Sequence, residues 1–120
     1  METNPKQTFF YVDVSGRAHA QEWLEQMRDR EGRGAVHLRL LRVQKGLLGD
    51  CERYGAVTEL KINKGPGYRV YLVEDGPVWV ILLCGGDKST QAKDFKKARR
   101  LCNEYQEEKS RGTAKLRRIP

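Results

Sequence analysis

Residues Thr58–Gln91 read TELKINKGPGYRVYLVEDGPVWVILLCGGDKSTQ, and three consecutive strands follow from that string. Val57 to Asn63 alternates, with Thr58, Leu60 and Ile62 on one side and Glu59 and Lys61 on the other. Lys64-Gly65-Pro66-Gly67 is a turn, and Tyr68 to Val73 alternates again. Asp75-Gly76 marks a second turn, widened by Pro77, which lacks a ladder donor. Val78 to Cys84 is almost continuously apolar, the pattern of a central strand covered on both faces. If the first turn closes an antiparallel hairpin with Ile62 opposite Tyr68, then Lys61 lies opposite Arg69. One face then carries Leu60, Ile62, Tyr68, Val70 and Leu72 as core, and the other carries Glu59, Lys61, Arg69 and Tyr71 as a polar surface. Like charges directly opposite one another are mildly destabilising, and a bound anion relieves the conflict. Glu59 close by is the competing remedy, an ordinary charge network on a solvated face.

Working upstream, Phe9 to Val14 is a short strand stopped by Ser15-Gly16. Ala20, Trp23, Leu24 and Met27 recur at helical spacing and predict a helix from Arg17 to about Arg30. Gly32 and Gly34 break it, and Val36, Leu40, Val43 and Leu47 predict a second helix ending near Lys45-Gly46, the two packing as an antiparallel hairpin. His19 and His37 fall in these helices, with no neighbours in sequence that would make a site, and read as surface or partly packed imidazoles. A loop containing Gly49-Asp50 leads to the sheet. Downstream, Gly85-Gly86 ends the third strand, and Asp87, Ser89 or Thr90 can cap a helix to about Lys109, with Phe95, Ala98, Leu101 or Cys102, and Tyr105 inward. The expected organisation is one domain over residues 1–108 and a weakly ordered basic tail over 109–120.

The chain has 120 residues, a formal charge of +7 and a pI near 9.5, with Lys and Arg clustered rather than spread, which points to a polyanionic or acidic partner. Cys51, Cys84 and Cys102 form no C-x-x-C pair, which argues against a disulfide framework or a zinc site. Cys84 reads as core, and Cys51 and Cys102 as candidate exposed thiols without a role. No metal and no cofactor are expected. The segment METNPKQTFF lacks a basic flank followed by an apolar run, and no stretch has the length a membrane span needs, so a cytoplasmic location is expected.

The run GDCERYGAVTELKINKGPGYRVY followed by VILLCGGDKSTQAKDFKKA resembles the RelE/ParE superfamily of toxin–antitoxin toxins, in its HigB-like, phage-derived branch of addiction module killer proteins. The resemblance extends from about Trp23 to Tyr105. It implies an α/β (α+β) RelE-like fold, with an N-terminal strand and helical hairpin on a mainly antiparallel sheet and a C-terminal helix. It also implies a toxin of a type II system, neutralised by a cognate antitoxin, here expected to be a small helix-turn-helix protein. RelE-like toxins cut messenger RNA on the ribosome by metal-independent attack of the ribose 2′-hydroxyl on the adjacent phosphate, whereas ParE-like members poison gyrase.

Carried onto this chain, the resemblance makes Arg69 the arginine on the scissile phosphate and Lys61 a basic position on the preceding strand. Lys88 falls where RelE-like toxins place a further arginine. Three such cations would stabilise the pentacoordinate transition state. Crowding by Arg69 and Lys88 would lower the Lys61 pKa and fit it to act as a base. Tyr71, Ser89, Gln91 and Lys64 are the expected substrate-binding residues. Two positions depart from the family pattern: Glu59 stands where RelE-like enzymes hold a second lysine, and Asp94 stands near their late tyrosine. HigB-type site histidines have no counterpart. The alternatives to an mRNA endonuclease are a gyrase-directed toxin and an inactive phage-derived regulator.

Overall fold

The computed structural model describes residues 4–120. A six-stranded sheet has the order β2-β3-β4-β5-β1-β6, with β1 Gln7–Val12, β2 Cys51–Tyr54, β3 Val57–Ile62, β4 Tyr68–Asp75, β5 Trp79–Asp87 and β6 Lys115–Arg118. Among the described residues, only the β1–β5 pairing is parallel. The helices are α1 His19–Gln26, α2 Arg30–Gln44 and α3 Gln91–Ser110.

The register of the central hairpin follows from its turn: Ile62 pairs with Tyr68 and Lys61 with Arg69. Leu60, Ile62, Tyr68, Val70 and Leu72 form one core with Leu24 of α1 and Val36, Leu40 and Val43 of α2. The other face differs from the solvated surface expected of it. Tyr71, Val73, Ile81 and Leu83 are buried there against Ala98, Leu101, Cys102 and Tyr105 of α3. The sheet is therefore the middle of three layers, and alternation along β4 feeds two cores rather than one core and solvent.

The break between the first two helices comes earlier than Gly32 and Gly34 suggest. Met27 is extended, and the Asp29 carboxylate caps α2 by accepting the Gly32 N–H at 3.1 Å. Both glycines lie inside α2. Gly32 is there for space, because a Cβ would collide with the Tyr68 ring, whose hydroxyl donates to Asp29 at 2.7 Å. Residues 51–54, expected in a loop, pair with β3 as an edge strand. The basic tail is also a strand: α3 ends at Ser110, Gly112 turns the chain with φ +71°, and β6 pairs with β1, seating Leu116 on one core and Ile119 on the other.

His19 is buried rather than superficial. Its Nε2 donates to Asp13 at 2.6 Å, and the other Asp13 oxygen accepts from Ser15 and the Arg17 N–H. Burial raises the Asp13 pKa, but the bonds from Ser15, Arg17 and His19 together outweigh it and hold this carboxyl well below its ordinary range. His37 is exposed. Cys84 and Cys102 are both buried, and burial pushes the Cys84 thiol up to about 12. Among the described residues, no helix is long and apolar enough to cross a membrane.

Candidate anion-binding site

The 64–67 turn and the end of β5 bring two cations together. Gly67, at φ +81°, leaves room over the turn: a Cβ there would meet the Lys88 side chain at 3.3 Å and Arg69 Nη1 at 3.5 Å. The Lys88 N–H donates to the Gly67 carbonyl at 3.0 Å, fixing the root of one cation beside the other. Arg69 is 4% exposed and, among the described residues, makes no ion pair. Its Nη1 donates to the Tyr68 carbonyl at 3.0 Å, and its Nε has no partner. A buried guanidinium with donors to spare is a receptor for an oxyanion.

Lys61 lies across from Arg69 but is engaged elsewhere. Its Nζ pairs with Glu52 of β2, and that bond raises its pKa, with Glu59 adding to the effect. The crowding argument for a lowered Lys61 pKa is thereby corrected: with the ammonium stabilised, Lys61 is an electrostatic element and not a base at neutral pH. Glu52 carries no signal in the sequence, because the short charged stretch 51–54 has the propensity of a loop and is a strand only through its pairing with β3.

The expected substrate-binding residues separate. Tyr71 is fully buried, its ring 6.2 Å from that of Phe95 under α3. Burial first, and the Glu59 carboxylate second, push its phenol far above the ordinary range. It is a core residue with no face free to stack on a base, which corrects its assignment to substrate. The Ser89 N–H and hydroxyl are both spent on Asp87, at 2.8 and 2.5 Å. Lys64 is exposed and 3.8 Å from Glu31, a rim charge. Gln91 donates from Nε2 to Glu59 Oε2 at 3.0 Å. Asp94 packs over Gly86, where a Cβ would strike it, and accepts from the Thr90 hydroxyl at the start of α3.

Glu59 is 1% exposed and lies beside the Tyr71 phenol, whose pKa it raises. The register makes it a diagonal neighbour of Arg69, yet the two opposite charges form no ion pair. Lys88 stands at the rim of two depressions. One, of about 490 Å³, is lined by Glu59, Ser89 and Gln91, with Tyr54 and Phe95 as aromatic walls whose centroids lie 5.1 Å apart. The other, of about 300 Å³, lies over Asn63–Gly67. Beyond them the first half of α3 carries Lys93, Lys96, Lys97, Arg99 and Arg100. That run was visible in the sequence and signals the same polyanion as the turn.

A protein of Haemophilus influenzae, described as uncharacterized, is 45% identical to this chain over 83 residues, which is 68% of this chain and 84% of the relative. The chain belongs to the same family as this Haemophilus protein. No family model and no solved structure matches it. The relative's description adds no chemistry, so the reading of the site rests on its own geometry.

Proposed function

We propose that the protein is the toxin of a type II toxin–antitoxin system with a RelE-like fold, acting as a ribosome-dependent mRNA endonuclease. The observation that carries this reading is the buried, unpaired Arg69 with Lys88 held beside it by the Gly67 turn. The basic first half of α3 adds positive charge of the kind that attracts a nucleic-acid backbone. The likeness of GPGYRVY and GGDKSTQ to the RelE/ParE pattern supports the assignment.

In the reaction, the ribose 2′-oxygen gives its proton to water and bonds to the adjacent phosphorus, and the bond from phosphorus to the 5′-oxygen breaks. The products are a 2′,3′-cyclic phosphate and a 5′-hydroxyl end. Arg69 and Lys88 hold the equatorial oxygens as charge gathers on them, and Lys61, kept protonated by Glu52, adds a fixed charge. The Lys88 ammonium can supply the proton that the departing 5′-oxygen takes up. The partners on this reading are the ribosome with its mRNA and a cognate antitoxin.

Lys61, held by Glu52 and unfit to act as a base, and the buried Tyr71 favour a second reading, a non-nucleolytic toxin or binding protein that uses the same surface on gyrase or on an antitoxin. Transcript ends mapped after induction separate the two: cleaved mRNA supports the first, and DNA breaks with intact transcripts the second. Arg69→Ala is expected to abolish growth inhibition and cleavage while the protein remains folded by circular dichroism. A folded Arg69→Ala variant as toxic as wild type overturns the assignment.

A further inference from the structure

Helix α2 turns outward a second face that no described residue covers. Val36, Leu40 and Val43 fill its inner side, and directly opposite them Gly34, Leu38, Leu41 and Lys45 follow one another at spacings of four, three and four. Leu38 and Leu41 are 52% and 53% exposed, and Leu47, just past the helix, is 49% exposed. A lone exposed leucine is ordinary, but several gathered at one helix mark a contact surface. Gly34 sits in the middle of the stripe. Glycine costs a helix interior stability relative to alanine, and nothing inside the molecule requires it here, because a Cβ at Gly34 would meet no atom within 4 Å. What the bare Cα offers is a groove between Arg30 and Leu38 in which a second helix can come close. Past Leu41 the stripe runs into a depression of about 510 Å³ lined by Arg42, Leu47 and Leu48, with room for an anchoring side chain. The rim is cationic: Arg30, Arg42 and Lys45 are exposed, and among the described residues none of them makes an ion pair. The one acid of α2, Glu31, lies 3.8 Å from Lys64.

We infer that the outer face of α2 is a docking seam for an acidic amphipathic helix of another protein, laid along Gly34, Leu38 and Leu41 with its apolar side inward and its carboxylates on Arg30, Arg42 and Lys45. A second copy of this chain fits badly, because pairing the stripe with itself sets cation on cation in either helix direction. RNA fits badly as well. A phosphate backbone gains nothing from leucines, and the stripe has no aromatic ring on which a base could stack. The seam lies across the sheet from the anion site, since Arg69 shares the face of Tyr71 under α3 while α2 packs on the face of Val70. The partner therefore seats without covering Arg69, and the inference does not rest on the nuclease reading.

The test is a titration of the purified protein, followed by amide nuclear magnetic resonance, with a helical peptide of about three heptads carrying leucine at a and d and glutamate at e and g. The control is the same peptide with lysine in place of glutamate. The acidic peptide is expected to shift the amides of residues 30–47, to leave those of Arg69 and Lys88 unmoved, and to bind about tenfold more tightly than the lysine peptide at low salt, the difference shrinking as salt rises. Leu41→Glu, at an exposed position outside the core, is expected to weaken binding about tenfold. Gly34→Ala fills the groove while favouring the helix, so it should raise the unfolding temperature and yet weaken binding about threefold, a combination that a purely structural glycine does not produce. Equal shifts with the lysine peptide, shifts confined to the basic half of α3, or wild-type binding by both variants overturn the seam. So does a concentration-dependent dimer that Leu41→Glu dissolves, which gives the face to a second copy, or a single-stranded RNA that shifts α2 in place of α3.

Discussion

Arg69 shows how a single residue can be chosen against stability. A guanidinium at 4% exposure with an unpartnered Nε gives up hydration and receives no ion pair in return. Glu59, the neighbour that could neutralise it, is directed to Gln91 instead. If the site exists to hold an oxyanion, removing the charge should stabilise the empty protein. Arg69→Met, which keeps the length and loses the charge, is expected to gain about 1 kcal/mol in denaturant or thermal unfolding. Sulfate or phosphate should raise the unfolding temperature of wild type and leave that of the variant unmoved, since only a native-state ligand shifts the equilibrium. A variant that is less stable, in a background where wild type ignores the anion, would make Arg69 a structural residue.

At the scale of elements, glycine placement separates what was legible in the sequence from what was not. The 64–67 turn and its register were legible, because a Gly-Pro-Gly turn between alternating runs leaves few pairings, and Lys61 does face Arg69. The helix break was misplaced because Gly32 and Gly34 look alike locally and differ only in tertiary surroundings: Gly32 faces the Tyr68 ring, whereas nothing lies within 4 Å of a Cβ at Gly34. Helix propensity favours alanine over glycine by about 1 kcal/mol at either position. Gly34→Ala is therefore expected to stabilise by about 0.5–1 kcal/mol. At Gly32 the clash exceeds that gain, and Gly32→Ala should destabilise by about 1–2 kcal/mol net. Chemical denaturation of the two variants checks both signs, and a stabilised Gly32→Ala would mean that α2 does not approach β4 this closely. The edge strands were illegible for a related reason. Cys51–Tyr54 and Lys115–Arg118 are short and charged, so their propensity is that of loops, and they are strands because β3 and β1 offer them open edges. With β2 unseen, Glu52 and its hold on Lys61 were unseen as well. The burial of Tyr71 was hidden because alternation shows that a face exists but not whether a helix covers it.

For the molecule as a whole, the strand order decides what the basic C-terminus can do. β6 lies at the far edge of the sheet, three strands from the β4 strand that carries Arg69, a separation of about 14 Å at the usual spacing between strands. That exceeds the Debye length of about 8 Å at physiological salt, so Lys115, Arg117 and Arg118 act on a ligand at Arg69 only weakly and only at low ionic strength. Structurally it is the strand that matters rather than its charges, because β6 covers the edge of β1, and Ile119 donates to the Thr8 carbonyl at 2.9 Å. Ending the chain at Ser110 is accordingly expected to lower the unfolding temperature and to expose β1 to edge pairing, seen as concentration-dependent association in light scattering. Any loss of toxicity in that truncation would report folding rather than lost contact with RNA. Replacing Lys115, Arg117 and Arg118 together with glutamine keeps the strand and removes the charge. This variant should keep the unfolding temperature of wild type and, at physiological salt, inhibit growth to within about twofold of it, the screened charge being worth little there. A stable triple variant that is inactive at physiological salt would instead place part of the nucleic-acid track along β6, on the opposite side of the sheet from the Glu52–Lys61 pair.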